Sequence, residues 1–215
     1  MISVVEVIPP SRPLYRVGRQ PDPLVLPPFS VVGSNRFDDP HGMFRVLYVA
    51  ERQLGCFVET LAPLRASVAD IAALSRAAGA TIRPVRRIPL DWCQERRIAR
   101  LRLRAGYRWL DLRAPETCEV LRAELADLLV RLGLTDFDVS GARGPSRALT
   151  QHIARWAYEH SFAGIAYRSR FADSLDCWAV FEGDHWESVG RPAPIRRDNP
   201  SFHAAAQLLG LTVVT

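Results

Sequence analysis

Residues 35–61 read NRFDDPHGMFRVLYVAERQLGCFVETL, a turn, a strand and a helix in succession. Asp38, Asp39 and Pro40, followed by Gly42, are turn chemistry: short polar side chains that bond nearby backbone, then a fixed φ, then a residue free to take a positive one. The run from Met43 to Ala50 is apolar and rich in β-branched and aromatic residues, which predicts a buried strand carrying Tyr48 near its end. Beyond Glu51 the period changes. Leu54, Phe57, Val58 and Leu61 recur at helical spacing and predict a short helix, with Gly55 a weak point in it. A carboxylate, Glu59, falls among these apolar positions, where a buried charge needs a partner or a purpose. Taken alone, Glu59 reads as a member of a structural ion pair and Arg36 as a solvated hairpin charge.

Outward from this stretch, helices and strands mix. Residues 1–35 are proline-rich and read as an irregular arm, with Leu14–Val17 a short strand. Residues 67–79 predict a helix capped by Ser67 and stopped by Gly79. TIRPVRRIPLDW (81–92) reads as strand, QERRIARLRL (94–103) fits helix or strand, and GYRWLDL (106–112) is strand again. One long helix is expected over 114–133, opened by Pro115 and Glu116, and a second over 144–162 capped near Ser146. Residues 163–171 and 175–183 read as paired strands, 185–197 as strand then loop, and 200–210 as a terminal helix. No regular strand–helix–strand rhythm appears, so the expected class is α+β rather than a doubly wound sheet. No Gly-x-Gly-x-x-Gly and no Walker-type Gly-Lys-Ser/Thr is present, so a nucleotide would be held by another device. Strand alternation puts Tyr167 and Ser169 on one face and Arg168 and Arg170 on the other. Ser169 lacks the Gly-x-Ser-x-Gly surround of a hydrolase nucleophile.

The 215 residues fit a single domain, 1–215, with residues 1–35 as an arm and 186–215 as a C-terminal extension. No apolar run approaches the about 18 residues of a membrane span, and the N-terminus lacks signal-peptide character, so a cytoplasmic protein is expected. The four cysteines are scattered without a Cys-x-x-Cys pair; buried free thiols are expected, and no metal. The net charge is +5, and every basic residue is arginine. Arginine's planar fork holds phosphate or carboxylate bidentately, so the excess permits an anionic ligand. The basic balance keeps a nucleic-acid-binding regulator as an alternative; the densest patch, Arg96, Arg97, Arg100, Arg102 and Arg104, reads as a solvated face or a docking surface for an acidic partner. The chain carries no helix-turn-helix signature or exposed aromatic platform to support direct nucleic-acid binding.

In order, Arg16, Arg36, Tyr48, Glu59 and Ser169 sit in YRV, in the stretch quoted above and in GIAYRSRF followed by DCWAVFE; with YRWLDL between them, this arrangement resembles the RES-domain family from about residue 12 to 185. The resemblance implies an ADP-ribosyltransferase-like fold, a mixed sheet core with flanking helices. It also implies the toxin of a bacterial type II toxin–antitoxin pair that breaks the nicotinamide–ribose bond of NAD+, depleting NAD and arresting growth. The implied catalytic residues are Arg16, Glu59 and Ser169, and the implied NAD-binding residues are Arg36, Tyr48, Tyr15 and Tyr167. The acceptor is left open between water, phosphate and a protein, and the implied partner is a cognate antitoxin that occludes the site. A RES-like protein that is inactive and only binds a partner is a further alternative. Two departures stand out. Asn35-Arg36-Phe37-Asp38 replaces the Gly-Arg-Trp/Phe-Asn of many relatives, and Val17 follows Arg16 where an aromatic is common.

The chemistry suits a lone carboxylate. Nicotinamide leaves NAD+ as a neutral base, so no general acid is needed, unlike ordinary glycoside hydrolysis with its two carboxyl groups. The transition state is oxocarbenium-like, and a fixed anion beside it stabilises the developing charge.

Overall fold

The computed structural model describes residues 3–213. Ten strands form: β1 (Leu14–Arg19), β2 (Val46–Ala50), β3 (Arg86–Ile88), β4 (Arg96–Leu103), β5 (Trp109–Asp111), β6 (Gly164–Arg168), β7 (Asp176–Phe181), β8 (Trp186–Ser188), β9 (Ala193–Pro194) and β10 (Leu211–Val213). Seven α-helices accompany them among the described residues: α1 (Gln53–Leu61), α2 (Val68–Ala78), α3 (Pro115–Glu124), α4 (Ala126–Arg131), α5 (Val139–Arg143), α6 (Arg147–Glu159) and α7 (Pro200–Leu209). Eight strands make one mixed sheet in the order β5-β6-β7-β2-β1-β4-β8, with β9 also paired to β4. Only β5 and β6 pair in parallel within it. β3 and β10 form a separate parallel pair. The α+β class expected from the sequence is the class observed.

The two faces of the sheet are closed differently. Tyr15 and Val17 of β1, Val46, Tyr48 and Ala50 of β2, Ile165 and Tyr167 of β6, and Cys177, Ala179 and Phe181 of β7 share the face on which the helices pack. The alternate positions, Leu14, Leu47, Val49, Ala166, Trp178 and Val180, form the second face. That face is covered by irregular chain, with Leu24 buried against it and Val7 and Leu26 partly so. The period-two alternation of side chains decides this division strand by strand.

Local chemistry explains most element boundaries. Ser67 and Asp70 make a reciprocal capping box at the start of α2, and Gly79 ends it in the left-handed conformation. The ambiguous 94–103 segment is strand β4, because Ala99, Leu101 and Leu103 are buried while Arg100 and Arg102 between them are exposed. The strand expected over 81–92 shrinks to Arg86–Ile88; Pro84 and Pro89 bracket it, and proline cannot donate to a ladder. The long helix expected over 114–133 is two, broken at Leu125 with φ −106° and ψ 17°; nothing in the local sequence marks that break. Residues 186–213 supply β8 and β9 to the main sheet and α7 to the helical layer.

Gly55 sets how closely α1 lies on the sheet. A Cβ added there would stand 2.9 Å from the Ala50 Cβ and 3.8 Å from the Cys177 Sγ. Glu59 follows one turn later, on the same side of the helix. Alanine at an ordinary helical position gains up to about 1 kcal/mol over glycine. Here the contact is below van der Waals distance, and overpacking costs about 1–3 kcal/mol. Gly55→Ala is therefore expected to lower the thermal midpoint despite its better helix propensity; a raised midpoint in differential scanning calorimetry would show that α1 does not depend on this approach.

Candidate functional site

The site is built from three segments that meet on the helical face. The first is the loop of residues 33–39. Gly33, at φ +94°, turns the chain into it. Asp38 is 2% exposed and organises the loop from inside. Its Oδ2 accepts hydrogen bonds from the Gly33 N–H (3.2 Å), the Asn35 N–H (2.9 Å) and the Asn35 side-chain amide (2.9 Å). Its Oδ1 accepts from the Tyr48 hydroxyl at 2.8 Å, and that hydroxyl accepts from the Phe37 N–H at 2.9 Å. From α6, the Gln151 side-chain amide donates to the carbonyls of Gly33 (2.8 Å) and Asn35 (2.9 Å). Asp39, fully buried, accepts from the Met43 N–H at 2.6 Å. The Asp-Asp-Pro turn is thus an internal frame rather than a solvated hairpin tip.

This frame presents Arg36. Its guanidinium lies 5.4 Å from the ring centroid of Phe37 and 5.9 Å from that of Tyr167. One Nη donates to the Ala142 carbonyl of α5, while Nε is buried with no hydrogen-bond partner. Burial lowers the Arg36 pKa, and the facing Tyr167 and Glu59 oppose that shift.

The second segment is α1, which carries Glu59, and the third is the chain leaving β6. The Ser169 hydroxyl, on a residue with 0% exposure, donates to the Glu59 Oε1 at 2.6 Å, joining residues 110 positions apart. Burial pushes the Glu59 pKa above the ordinary glutamate range; the Ser169 hydrogen bond and the charges of Arg36 and Arg170 pull it back only in part. Arg170 corrects the expectation from strand alternation. β6 ends at Arg168, so the period-two rule stops there, and the exposed Arg170, over the Phe171 ring, lies near enough for its charge to act on Glu59.

The remaining sequence-predicted residues take distinct places. Tyr167 is buried beside Phe37, with ring centroids 4.7 Å apart, and burial raises its pKa well above the tyrosine norm. Tyr48 is likewise raised by burial, then by the neighbouring Asp38 charge, and its hydroxyl is committed to the 33–39 loop. Tyr15 shares their face, and its carbonyl accepts from the Cys56 thiol at 2.8 Å. Arg16 alternates with Tyr15 and belongs to the opposite register. β1 and β2 pair only through Tyr15 and Ala50. Where they part, Arg16 donates to the Pro23 carbonyl (2.6 Å) and the Tyr48 carbonyl (2.9 Å). Burial lowers its pKa. Arg16 makes no hydrogen bond or ion pair with Glu59 or Ser169; it closes the split between the strands. Glu59, Ser169, Arg36 and Tyr167 are brought together, with Tyr48 behind Arg36.

Sequence reasoning passed over Gln151, Ala142 and Arg143. Gln151 carried a faint signal as a polar side chain on the buried side of an amphipathic helix, 8% exposed. The other two act through a backbone carbonyl and a half-buried guanidinium and left no pattern. All four cysteines are buried and free; burial pushes Cys56 up to about 12, which leaves it unreactive. Among the described residues no group of three or more His, Cys, Asp or Glu could hold a metal, and no helix is long and apolar enough to cross a membrane. A groove of about 760 Å³, lined by Pro9, Pro10, Arg102, Arg104 and Tyr107 among others, lies away from this cluster.

The α+β sheet thus holds a half-buried carboxylate bonded to a hydroxyl and, near it, an arginine set against two aromatic rings. The RES domain pattern matches residues 13–204, and the chain belongs to that family. The match spans every candidate residue from Tyr15 to Ser169. Among solved structures, a chain of the crystal structure of the M. tuberculosis MbcT–MbcA toxin–antitoxin complex shares the fold. Its TM-score is 0.54 at 14% identity, over 94% of this chain and 91% of that one. No curated protein matches in sequence.

Two outcomes follow from this geometry. Glu59 is ionised more reluctantly in the folded chain than in the unfolded one, where it titrates near 4.5. Its contribution to stability is therefore complete below that value and is lost as pH rises through the raised folded-state pKa. Glu59→Gln keeps an acceptor for Ser169 and does not titrate. It is expected to gain in thermal midpoint over the parent between pH 4.5 and neutrality, and parallel curves across that range would contradict the burial cost. Tyr48→Phe leaves Asp38 one donor short and the Phe37 N–H unpaired, and should destabilise by about 1–3 kcal/mol in urea unfolding.

Proposed function

We propose that this chain is the toxin of a toxin–antitoxin pair and that it breaks the nicotinamide–ribose bond of NAD+. The observation that carries the reading is the 2.6 Å hydrogen bond from Ser169 to Glu59, made in a buried setting next to Arg36. A carboxylate fixed by a hydroxyl, partly withdrawn from water and carried by a helix seated on the sheet is a preorganised anion. Positive charge grows on the ribose as nicotinamide departs, and such an anion stabilises it more than it stabilises the ground state. Arg36 grips the diphosphate, Tyr167 lies against the nicotinamide or its ribose, and Ser169 orients Glu59. Arg16 and Tyr48 act as positioning residues, Arg16 through the Tyr48 carbonyl and Tyr48 through the loop that holds Arg36. Tyr15 lines the same face. The whole chain acts as one domain in the cytoplasm, without a metal.

Family membership and the fold shared with a chain of a toxin–antitoxin complex support an antitoxin partner that covers this face. The arginines of β4 give less support to a nucleic-acid interface: Arg102 pairs with Glu187 at 3.3 Å, and Arg96 pairs with Glu95 at 3.4 Å and stacks on Trp92.

Purified protein is expected to release nicotinamide from NAD+, and Glu59→Gln to lose at least a hundredfold of that rate while remaining folded by circular dichroism. Undiminished release by this variant would remove Glu59 from the chemistry. Assays with water alone, with added phosphate and with cell extract separate hydrolysis, phosphorolysis and transfer to a protein. Because the ionised carboxylate is the active form, kcat/KM should rise with pH on a limb centred above the 4.5 of an ordinary glutamate.

A further inference from the structure

Arg143 stands at the end of α5, one residue beyond the carbonyl that engages Arg36. Its Nη2 donates to the Ser169 carbonyl at 3.2 Å, on the residue whose hydroxyl binds Glu59. Its Nη1 pairs with Asp173, and its Nε is buried without a partner. The two ends of the Arg143–Asp173 pair differ in setting. The Arg143 side chain is 29% exposed, whereas that of Asp173 is 77% exposed, on the loop between β6 and β7. An ion pair with one end in solvent contributes about 0–1 kcal/mol and is readily exchanged. Arg36 shows the same unmet capacity, with its own Nε buried and unpartnered. Two guanidinium groups with an unpartnered Nε thus stand around the Ser169–Glu59 bond, Arg36 with its charge acting on Glu59 and Arg143 on the Ser169 carbonyl, while Arg16 is committed to two backbone carbonyls.

We propose that Arg143 is a second diphosphate-binding residue, and that it binds by partner exchange: it releases Asp173 and takes a phosphate oxygen in its place. This rests on the dinucleotide reading of the site. A diphosphate carries two negative charges, more than Arg36 alone offsets, and the guanidinium fork binds phosphate with two parallel hydrogen bonds. Asp173 serves as a surrogate anion that holds Arg143 against Ser169 until the ligand arrives. It competes with the ligand, so removing its charge favours binding. A purely structural latch behaves otherwise, because loss of either end then loosens the site.

The test is calorimetric titration of the whole protein with ADP-ribose and with inorganic pyrophosphate, alongside the steady-state kinetics of nicotinamide release. The variants are Arg143→Gln, Asp173→Asn and the double. Asp173→Asn is expected to bind ADP-ribose several-fold more tightly and to lower KM, with kcat unchanged. Arg143→Gln is expected to bind at least tenfold more weakly and to raise KM, and the double variant to match Arg143→Gln. Equal or weaker binding by Asp173→Asn, or shifts of the same sign in both single variants, overturns partner exchange even where nicotinamide release proceeds. Asp173 is exposed enough for its variant to fold, so this arm decides the matter even if Arg143→Gln does not. A parent protein that binds neither probe and releases no nicotinamide overturns both this inference and the reading of the site.

Discussion

Helix α1 approaches the sheet more closely than any residue with a side chain permits, and the site follows from that contact. Gly55 lies over Ala50 and Cys177, and the next turn brings Glu59 down between the sheet and the loop after β6. A carboxylate in such a place has lost part of its water. The fold offsets that loss with one hydroxyl and the charges of Arg36 and Arg170, and the offset is incomplete. The residue that weakens the helix as an isolated segment is the one that makes the packing possible, a conflict between local and global preference of the sort that gathers at functional positions.

The opposite wall depends on a hydrogen-bond frame instead of apolar packing. Asp38, Tyr48, Asn35 and Gln151 satisfy one another's donors and acceptors across three segments of the chain. A buried network of this kind is rigid when complete and costly when broken. Its product is the placement of one side chain, Arg36, against the rings of Phe37 and Tyr167. Arg16 does comparable work at the split between β1 and β2, where side-chain donors replace the ladder bonds that diverging strands cannot make.

How legible this was in the sequence depended on how local the cause was. The strand through Tyr48, the capped helix at Ser67 and the helix bearing Glu59 follow from period and turn chemistry within a dozen residues. The class followed from the mixture of elements. The pairing of Glu59 with Ser169 came from family resemblance, because no spacing rule connects residues 110 apart. Gln151 and Arg143 stayed hidden for a related reason: each reaches the site through a backbone carbonyl, and a carbonyl has no sequence signature. The alternation rule misplaced Arg170 because it was carried two residues past the end of β6. Arg16 was recognised as important, but its engagement with Pro23 and Tyr48 depends on where two strands separate, which only the assembled sheet reveals.

On the proposed reading, the incomplete compensation of Glu59 is itself a selection device. In the free protein, burial outweighs the support from Ser169, Arg36 and Arg170, so the carboxylate holds its proton more tightly than an exposed one does. A ligand carrying a pyridinium ring supplies further positive charge beside the half-buried carboxylate, where the attraction is stronger than in open water. Its binding then favours the ionised form. A neutral, reduced nicotinamide ring brings no such charge and leaves the burial cost uncompensated. The diphosphate, by contrast, is common to both forms, and the arginines that grip it cannot tell them apart. On this reading discrimination and catalysis fall on the same carboxylate: the pyridinium charge that favours its ionised form on binding is the charge that passes to the ribose beside it as nicotinamide leaves as a neutral base.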